Sequence, residues 1–182
     1  DSPMAIDATE LYVRYASEHR LSAEECRAMC SGVTYVRTPE QSKSLDQLRS
    51  SAIILAASGM ATGGRVLHHL KVFAPDARNL ILLSGYQAGG TRGASLAAGA
   101  KTLRIHGQDI PIRAEVAQLS SMSGHADQNE LLQWMKSFTP PPKRIYITHG
   151  EPNASDTLRH RIETELHVEA LVPDYRDQVE LV

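Results

Sequence analysis

Cysteine is scarce in this sequence, and the two that occur, Cys26 and Cys30, lie four residues apart in one short segment. Two cysteines cannot build the framework of several disulfides that staples small secreted domains. No nearby ligand pair completes a zinc site around them, so we interpret both as packing residues. This cysteine usage is typical of a reducing compartment and predicts a cytoplasmic protein.

Long apolar runs are also missing. No stretch approaches the roughly 20 residues that span a bilayer, and the N-terminus has neither the basic flank nor the apolar core of a signal peptide. We therefore expect no membrane partner. The chain opens at Asp1 without an initiator methionine, which fits a processed product or a piece of a longer protein. Its 182 residues, 42% hydrophobic and 22% charged, suffice for one large globular domain or two small ones.

Acidic and basic residues are unevenly distributed, although the formal net charge is only −2. Residues 51–113 carry seven lysines and arginines against two acidic residues, a net charge of +5, whereas residues 114–182 have a net charge of −5. A basic segment inside a nearly neutral chain predicts a surface that contacts phosphate groups. The alternative is a solvated surface whose charges are balanced by neighbouring segments.

Two short apolar runs, residues 52–57 and 80–83, indicate parallel strands, and the first is expected to be buried on both faces. Each run leads into a glycine-rich loop, at 58–64 and 85–90, and an amphipathic helix follows the first loop. This alternation of strands and helices predicts an α/β fold with a parallel sheet. The other elements predicted in this half are helices at 6–19 and 22–30, a strand at 33–37 and a helix that starts at 38–40.

The second half of the chain has a different pattern. Extended stretches on either side of residues 107–109 predict a β-hairpin. We place a domain boundary near the strand that follows, which divides the chain into residues 1–118 and 119–182. The other elements predicted here are a helix at 127–138, a strand at 144–148 and a helix at 152–166.

The first glycine-rich loop is a candidate anion site. Backbone amides in a turn that precedes a helix can bind a phosphate, and Ser58 and Gly59 lie in such a turn. The loop does not end in the Gly-Lys-Ser/Thr of a Walker A motif, and it does not match the Gly-x-Gly-x-x-Gly fingerprint. A tight strand-to-helix turn without a ligand is therefore the alternative.

Two histidines carry the clearest chemical signal. His125 precedes Asp127, which with Glu130 predicts a capping box for the next helix, and His149 directly follows a short apolar strand. If the strands before the two histidines are parallel neighbours, about 5 Å apart, both imidazoles lie at one edge of the sheet and can converge. Two histidines are one ligand short of the usual catalytic zinc site. A pair of hydrogen-bonded structural histidines is therefore the alternative.

Five short motifs follow one another along the chain. They are Asp1-Ser2-Pro3-Met4-Ala5, Ser58-Gly59-Met60 with Gly63-Gly64-Arg65, Gly85-Tyr86-Gln87-Ala88, Ser123-Gly124-His125-Ala126-Asp127 and His149-Gly150-Glu151. In this order they make the sequence similar to β-CASP nucleases of the metallo-β-lactamase superfamily, which include RNA 3′-end-processing endonucleases and RNase J-like enzymes. The resemblance implies a β-CASP domain with a parallel sheet flanked by helices at residues 1–118. Residues 119–182 would then be the C-terminal βαβ segment of a metallo-β-lactamase domain.

The same resemblance implies a zinc-dependent ribonuclease that hydrolyses phosphodiester bonds in RNA processing or decay. In the complete enzyme two zinc ions share a bridging hydroxide, with His149 as a zinc ligand and His125 beside the leaving oxygen. A histidine at the position of His149 is typical of members that act on RNA, so single-stranded RNA is the expected substrate. The other implied site residues are phosphate or RNA contacts at Ser123, Gly124, Ser58, Gly59, Arg65 and Arg92, and residues that orient the site at Asp127 and Glu151.

The sequence departs from the family pattern in its metal ligands. The main metal motif of the family, His-x-His-x-Asp-His, does not occur in it. The resemblance thus implies a missing N-terminal metallo-β-lactamase region as a partner, predicts that the chain alone is inactive, and makes a homodimer a second candidate assembly. A smaller departure is Gly93-Ala94, where many relatives carry a basic residue. The alternatives are a non-catalytic scaffold or RNA-binding subunit that has lost its metal ligands, and a stand-alone α/β binding module.

Overall fold

The computed structural model describes residues 1–119, 121 and 124–180, which belong to two compact units, Asp1–Ser123 and Gly124–Val182. Each unit has an apolar core of its own. Within the described part of the chain, no helix is both long enough and apolar enough to cross a bilayer. The assignment of residues 1–118 and 119–182 to two named domains stays a prediction.

Three helices open the first unit: α1 (Pro3–Arg14), α2 (Ala23–Cys30) and α3 (Pro39–Leu45). Each begins after a hydroxyl residue, because that side chain accepts a hydrogen bond from a backbone amide three residues further on. The three helices predicted in this region are therefore confirmed, with α1 ending earlier than expected and a short 3₁₀ turn at Ala16–Glu18 after it. The capping pairs are Ser2 with Ala5, Ser22 with Glu25 and Thr38 with Gln41.

The rest of the first unit combines helices and strands. The order is α4 (Val66–Phe73), β1 (Leu80–Ser84), α5 (Arg92–Ala97), β2 (Thr102–Ile105), β3 (Gln108–Pro111) and β4 (Glu115–Leu119). Strands β1 and β4 pair in parallel, whereas β2 and β3 form an antiparallel hairpin. The predicted α/β class, with parallel pairing flanked by helices, is confirmed. The core consists mainly of Leu67, Leu70, Leu83, Leu96, Leu103, Ile105 and Ile110.

The hairpin turns one residue earlier than the sequence pattern suggests. Its two turn residues, His106 and Gly107, have left-handed backbone with φ of 47° and 76°. Positive φ at both positions gives a two-residue turn whose twist matches that of the strands. Gln108 and Asp109, predicted in the turn, therefore lie in β3, where Gln108 pairs with Ile105.

The prediction of a buried strand at residues 52–57 is wrong. These residues pair with no strand in the described chain, and the Ile53 and Leu55 side chains are 90% and 70% exposed. An apolar run becomes a buried strand only where a neighbour supplies partners for its backbone groups. Among the described residues β1 has β4 as its one strand neighbour. Residues 33–37, also predicted as a strand, are likewise unpaired.

The second unit contains α6 (Gln128–Lys136), β5 (Arg144–Tyr146), α7 (Pro152–Leu166) and β6 (Glu169–Leu171). Strands β5 and β6 pair in parallel around α7, which makes a βαβ unit. Strand β6 is not indicated by the sequence pattern, because three residues carry too little periodicity to predict a strand. The expectation that the strands before His125 and His149 are neighbours stays a prediction. The core consists of Leu132, Met135, Ile147, Ile162 and Ala170.

Two isoleucines of the first unit provide a direct test of which apolar residues form its core. Ile105 is fully buried, and Ile53 is 90% exposed. Replacing Ile105 by Ala should lower the free energy of unfolding by about 2–4 kcal/mol, because it leaves a cavity. The matched variant Ile53→Ala should change it by less than about 0.5 kcal/mol. Urea unfolding followed by circular dichroism measures both. An equal loss of unfolding free energy in the two variants would support the predicted buried strand at 52–57.

Candidate functional site

The segment around His125 leads into a firmly capped helix. The Asp127 carboxylate accepts hydrogen bonds from the amides of Asn129 (2.7 Å) and Glu130 (2.9 Å), and the Glu130 carboxylate accepts from the Asp127 amide (2.8 Å). The predicted capping box of α6 is therefore confirmed. Because the Asp127 carboxylate is occupied by these two amides, it acts as a helix cap.

The residues just before this cap are exposed to solvent. Gly124 and His125 both lie on the surface of the second unit, three and two residues before Asp127. Ser123, predicted to contact a phosphate together with Gly124, lies outside the described residues. The phosphate cradle and the role of His125 at the leaving oxygen stay predictions.

The turn that carries His149 is held by its close fit to α7. His149 has left-handed backbone (φ 64°), a conformation that is unfavourable for residues other than glycine. Residues with such strained backbone cluster at functional sites. The next residue, Gly150, has no room for a side chain, because a Cβ there would lie 2.1 Å from the Ser155 Oγ. Ser155 is buried, and its amide donates to the carbonyl of Glu151 at the start of α7 (2.9 Å). The backbone on either side of the predicted metal ligand is thus well defined.

A complete metal site is not found in the described chain. Among residues 1–119, 121 and 124–180, no group of three or more histidine, cysteine, aspartate or glutamate side chains could hold a metal ion. His125 and His149 lie in the same compact unit. His149 fits the chemistry of a zinc ligand as a single imidazole at the end of a strand, but these residues do not supply the three protein ligands of a catalytic site.

The glycine-rich loop at 58–64 is closed by its own serine. The Ser58 hydroxyl accepts hydrogen bonds from the amides of Thr62 (3.0 Å) and Gly63 (3.2 Å). Ser58 also has left-handed backbone, with φ of 69°. A phosphate that binds these amides would first have to displace the serine hydroxyl. This geometry supports the alternative of a tight turn, and the phosphate contacts at Ser58 and Gly59 stay predictions.

Arg65, predicted to contact RNA, points its guanidinium into the first unit. It donates to the Asp1 carboxylate (2.6 Å) and to the carbonyl groups of Val36 (3.2 Å) and Arg37 (2.8 Å). The Asp1 side chain is completely buried. The first motif of the sequence, at Asp1, is therefore joined to the second motif, which ends at Arg65.

His69 extends this contact into a network that the sequence analysis missed. One ring nitrogen lies 2.8 Å from the Asp1 carboxylate and the other 2.8 Å from the Asp46 carboxylate. The His69 side chain is only 7% exposed. The spacing of four residues between Arg65 and His69 places both on one face of the helix, but nothing in the sequence indicates that Asp1 and Asp46 face them.

Arg92, the other arginine predicted to contact RNA, also donates to internal acceptors. Its Nε donates to the carbonyl of Arg104 (2.7 Å), and one terminal nitrogen donates to the carbonyl groups of Ala61 and Thr62 (3.3 Å each). These bonds tie the start of α5 to β2 and to the first glycine-rich loop. RNA contacts by Arg65 and Arg92 stay predictions, and they compete with the bonds described here.

Comparison with protein-family models decides the family. A model of the Beta-Casp domain matches residues 1–96, more than half of the 182-residue chain. The chain belongs to the β-CASP family. A second model, the Zn-dependent metallo-hydrolase RNA specificity domain, matches residues 109–173. The family predicted from the five motifs is therefore confirmed, and the second match extends the relationship to metal-dependent hydrolases.

Several curated proteins are similar to this β-CASP chain. Ribonuclease TTHA0252 of Thermus thermophilus is 40% identical over 83% of the chain and 36% of its own length. The transcription termination factor FttA of Methanocaldococcus jannaschii is 35% identical over 72% of the chain and 22% of its length. The RNase J-like protein of the same organism is 37% identical over 69% and 29%. The β-CASP chain thus spans little more than a third of these relatives at most.

The structure gives a physical reason for the glycine at position 93 of this β-CASP chain. A Cβ at Gly93 would lie 1.7 Å from the Gln87 Oε1, and the Gly93 amide donates to the Met60 carbonyl (2.9 Å). The Gln87 amide fills the space that a larger residue would need. Both polar atoms of this amide are buried and have no hydrogen-bond partner in the part of the chain that the structure describes. Any side chain at position 93 would require Gln87 to move.

Loss of the Arg65 guanidinium should unfold the first unit more easily. Because Asp1 is completely buried, Arg65→Ala leaves its carboxylate with fewer donors and should lower the free energy of unfolding by about 3 kcal/mol. The control is Arg78→Ala, since Arg78 pairs with Asp76 on the surface, where solvent screens the pair and its loss should have a much smaller effect on stability. Urea unfolding compares the two. If Arg65→Ala leaves stability unchanged and weakens RNA binding, Arg65 is an RNA contact.

The fit of Gly150 against α7 can be tested with a double-mutant cycle. Gly150→Ala should lower the free energy of unfolding of the second unit by about 1–3 kcal/mol, because its Cβ overlaps the Ser155 Oγ. Ser155→Ala removes that oxygen and leaves the Ser155 Cβ, 3.3 Å away, as the nearest atom. The cost of Gly150→Ala should therefore be smaller in the Ser155→Ala background. Equal costs in both backgrounds would contradict this account of the turn.

Proposed function

We propose that this chain is the C-terminal part of a zinc-dependent ribonuclease. The observation that carries the proposal is the order of the two family matches, a Beta-Casp domain followed by a Zn-dependent metallo-hydrolase RNA specificity domain. In this proposal residues 1–118 are the β-CASP insert, and residues 119–182 return to complete a metallo-β-lactamase domain. The remainder of that domain supplies the other metal ligands.

His149 is the residue of this chain that holds the metal in the proposed enzyme. Its strained backbone, three residues after β5 and next to a glycine fitted against Ser155, supports a fixed position for the imidazole. Bound zinc supplies a Lewis acid and lowers the pKa of a bound water. The number of zinc ions, two by resemblance, belongs to the same proposal.

His125 is the residue that handles the proton in this proposal. The resemblance to the family supports this role, and His125 is exposed two residues before Asp127, the N-cap of α6. We assign to it donation of a proton to the leaving oxygen of the scissile phosphate. Asp127, which caps α6, fixes the backbone from which His125 projects.

The proposed substrate is single-stranded RNA. The relative named as a ribonuclease, 40% identical over 83% of the chain, supports RNA cleavage in processing or decay. A second candidate is action on RNA at transcription termination, because several relatives named transcription termination factor FttA are 31–35% identical. The two candidates share the same chemistry and differ in the complex that delivers the RNA.

Replacing each of the two histidines by Ala, in a longer protein that carries the His-x-His-x-Asp-His motif, should change zinc content and cleavage rate differently. His149→Ala should lower zinc content together with activity, because a metal ligand contributes directly to affinity. His125→Ala should keep the zinc content and slow the chemical step by about 10²–10⁴-fold, the usual effect of a general acid. Metal analysis and single-turnover cleavage of a labelled RNA measure both.

Two controls complete this experiment. His160→Ala, an exposed histidine on α7, should leave zinc content and rate unchanged. The 182-residue chain alone should not cleave RNA with added zinc, because the described part of it contains no complete ligand set. Reversed effects at His125 and His149 would exchange their roles. Full activity of both variants, or chelator-sensitive cleavage by the chain alone, would overturn the proposal.

A further inference from the structure

The seven cations of the basic segment, residues 51–113, are not equivalent. Arg65 and Arg92 donate to acceptors inside the first unit. Arg78 and Arg104 each pair with an aspartate on the surface, and the bonds from Arg78 hold the pKa of its partner, Asp76, at about 2. The other three have no ion pair with any residue that the structure describes: Lys71, Lys101 and Arg113.

Backbone hydrogen bonds bring these three cations to one end of the first unit. The amide of Ile112 donates to the carbonyl of Lys101 (2.8 Å), which continues the hairpin ladder to its open end. The next amide, that of Arg113, donates to the carbonyl of Ala74, the C-cap residue of α4 (2.8 Å). Lys71 lies one helical turn before Ala74. The backbones of all three cations therefore lie where the C-terminal end of α4 meets the open end of the hairpin.

Two imidazole rings lie between α4 and the hairpin closer to its turn. His68 of α4 and His106 of the hairpin turn are both exposed, and their ring centroids are 4.9 Å apart at an interplanar angle of 43°. Residues three apart share a helix face, so His68 and Lys71 are neighbours along α4. The aromatic pair and the three cations are thus carried by the same two elements, α4 and the hairpin. We name these five residues the α4–hairpin surface: His68, Lys71, Lys101, His106 and Arg113.

We propose that the α4–hairpin surface binds single-stranded RNA, with bases stacked at the histidine end and phosphates bound at the lysine and arginine end. Exposed histidine rings are among the side chains on which unpaired bases stack. Lysine and arginine next to them supply the attraction to the backbone that single-strand sites combine with stacking. The proposal rests on the proposed function only in taking RNA as the ligand.

The acidic residues near this surface do not cancel its charge. Asp76 and Asp109 are each paired with an arginine, Arg78 and Arg104, that does not belong to the surface. Glu115, at the start of β4 and two residues after Arg113, can offset at most one of the three positive charges. The α4–hairpin surface therefore keeps a net positive charge, which is what a polyanion requires.

The test of the basic end uses the 182-residue chain and a short fluorescently labelled single-stranded RNA. Binding is followed by anisotropy over a series of salt concentrations. The variant with Lys71→Gln, Lys101→Gln and Arg113→Gln should bind at least tenfold more weakly at low salt. Its slope of log affinity against log salt should be flatter by about 2, because each phosphate contact contributes about 0.7.

The matched control removes three other exposed arginines of the first unit, in a variant with Arg14→Gln, Arg20→Gln and Arg27→Gln. It changes the net charge of the chain by the same amount and should leave the slope nearly unchanged. Equal effects of the two triple variants would overturn the proposal, because they would show that RNA responds to net charge alone.

The histidine end is tested separately. His106→Asn keeps a residue that tolerates the left-handed turn, and His68→Gln removes the second ring without adding charge. Together they should weaken RNA binding roughly tenfold and leave the salt slope unchanged, because stacking is an uncharged contact. Photocrosslinking of thiouridine-containing RNA should modify the segments around residues 68 and 106. Unchanged affinity and crosslinks confined to other segments would overturn the stacking assignment.

The proposal can fail while the proposed function stands. If the 182-residue chain binds no single-stranded RNA at low salt, the α4–hairpin surface is not an RNA site. The assignment of His125 and His149 is unaffected by that result, because it is tested by zinc content and cleavage in the longer protein. Conversely, loss of the metal assignment would leave a specific effect of the two surface variants intact.

Discussion

The buried carboxylate of Asp1 is the contact on which the first half of the chain depends. It accepts a hydrogen bond from Arg65 and lies 2.8 Å from one ring nitrogen of His69, whose other nitrogen faces Asp46. Three separate stretches, the N-terminus, the end of α3 and the start of α4, therefore meet at one group. A charge removed from water is costly unless its partners are complete. The network consequently fixes these stretches relative to one another.

This network and the bonds of Arg92 divide the basic segment by role. Arg65 binds Asp1 and the backbone at residues 36–37, and Arg92 binds β2 and the first glycine-rich loop. Arg78 and Arg104 are neutralised by aspartates on the surface. The charge that remains available to a ligand is thus confined to one end of α4 and the hairpin. The net charge of +5 alone does not distinguish these roles, because it counts internal and surface cations alike.

Backbone conformation constrains the second unit in a comparable way. His149 adopts left-handed backbone between β5 and α7, and Gly150 provides the close approach that lets Ser155 pack against the turn. Strands β5 and β6, which flank α7 in sequence, pair with each other, and Ile162 anchors α7 in the core of the second unit. The unit therefore offers a rigid turn for one imidazole, and the remaining ligands of a zinc site must come from other residues.

Local features of this protein are determined by its sequence alone. The caps at Ser22, Thr38 and Asp127, the hairpin near Gly107 and the family motifs at His125 and His149 depend on residues only a few positions apart. Short-range hydrogen bonds form in the same way in any context, so their sequence patterns predict them.

Features that join distant segments were decided only by the tertiary structure. The run at 52–57 has no partner strand among the residues that the structure describes, β4 pairs with β1, and Arg65 binds a carboxylate 64 positions away. Whether an apolar run is buried, or a cation is free, depends on which groups the fold brings beside it. Those neighbours are set by the packing of the whole unit, which no local pattern encodes.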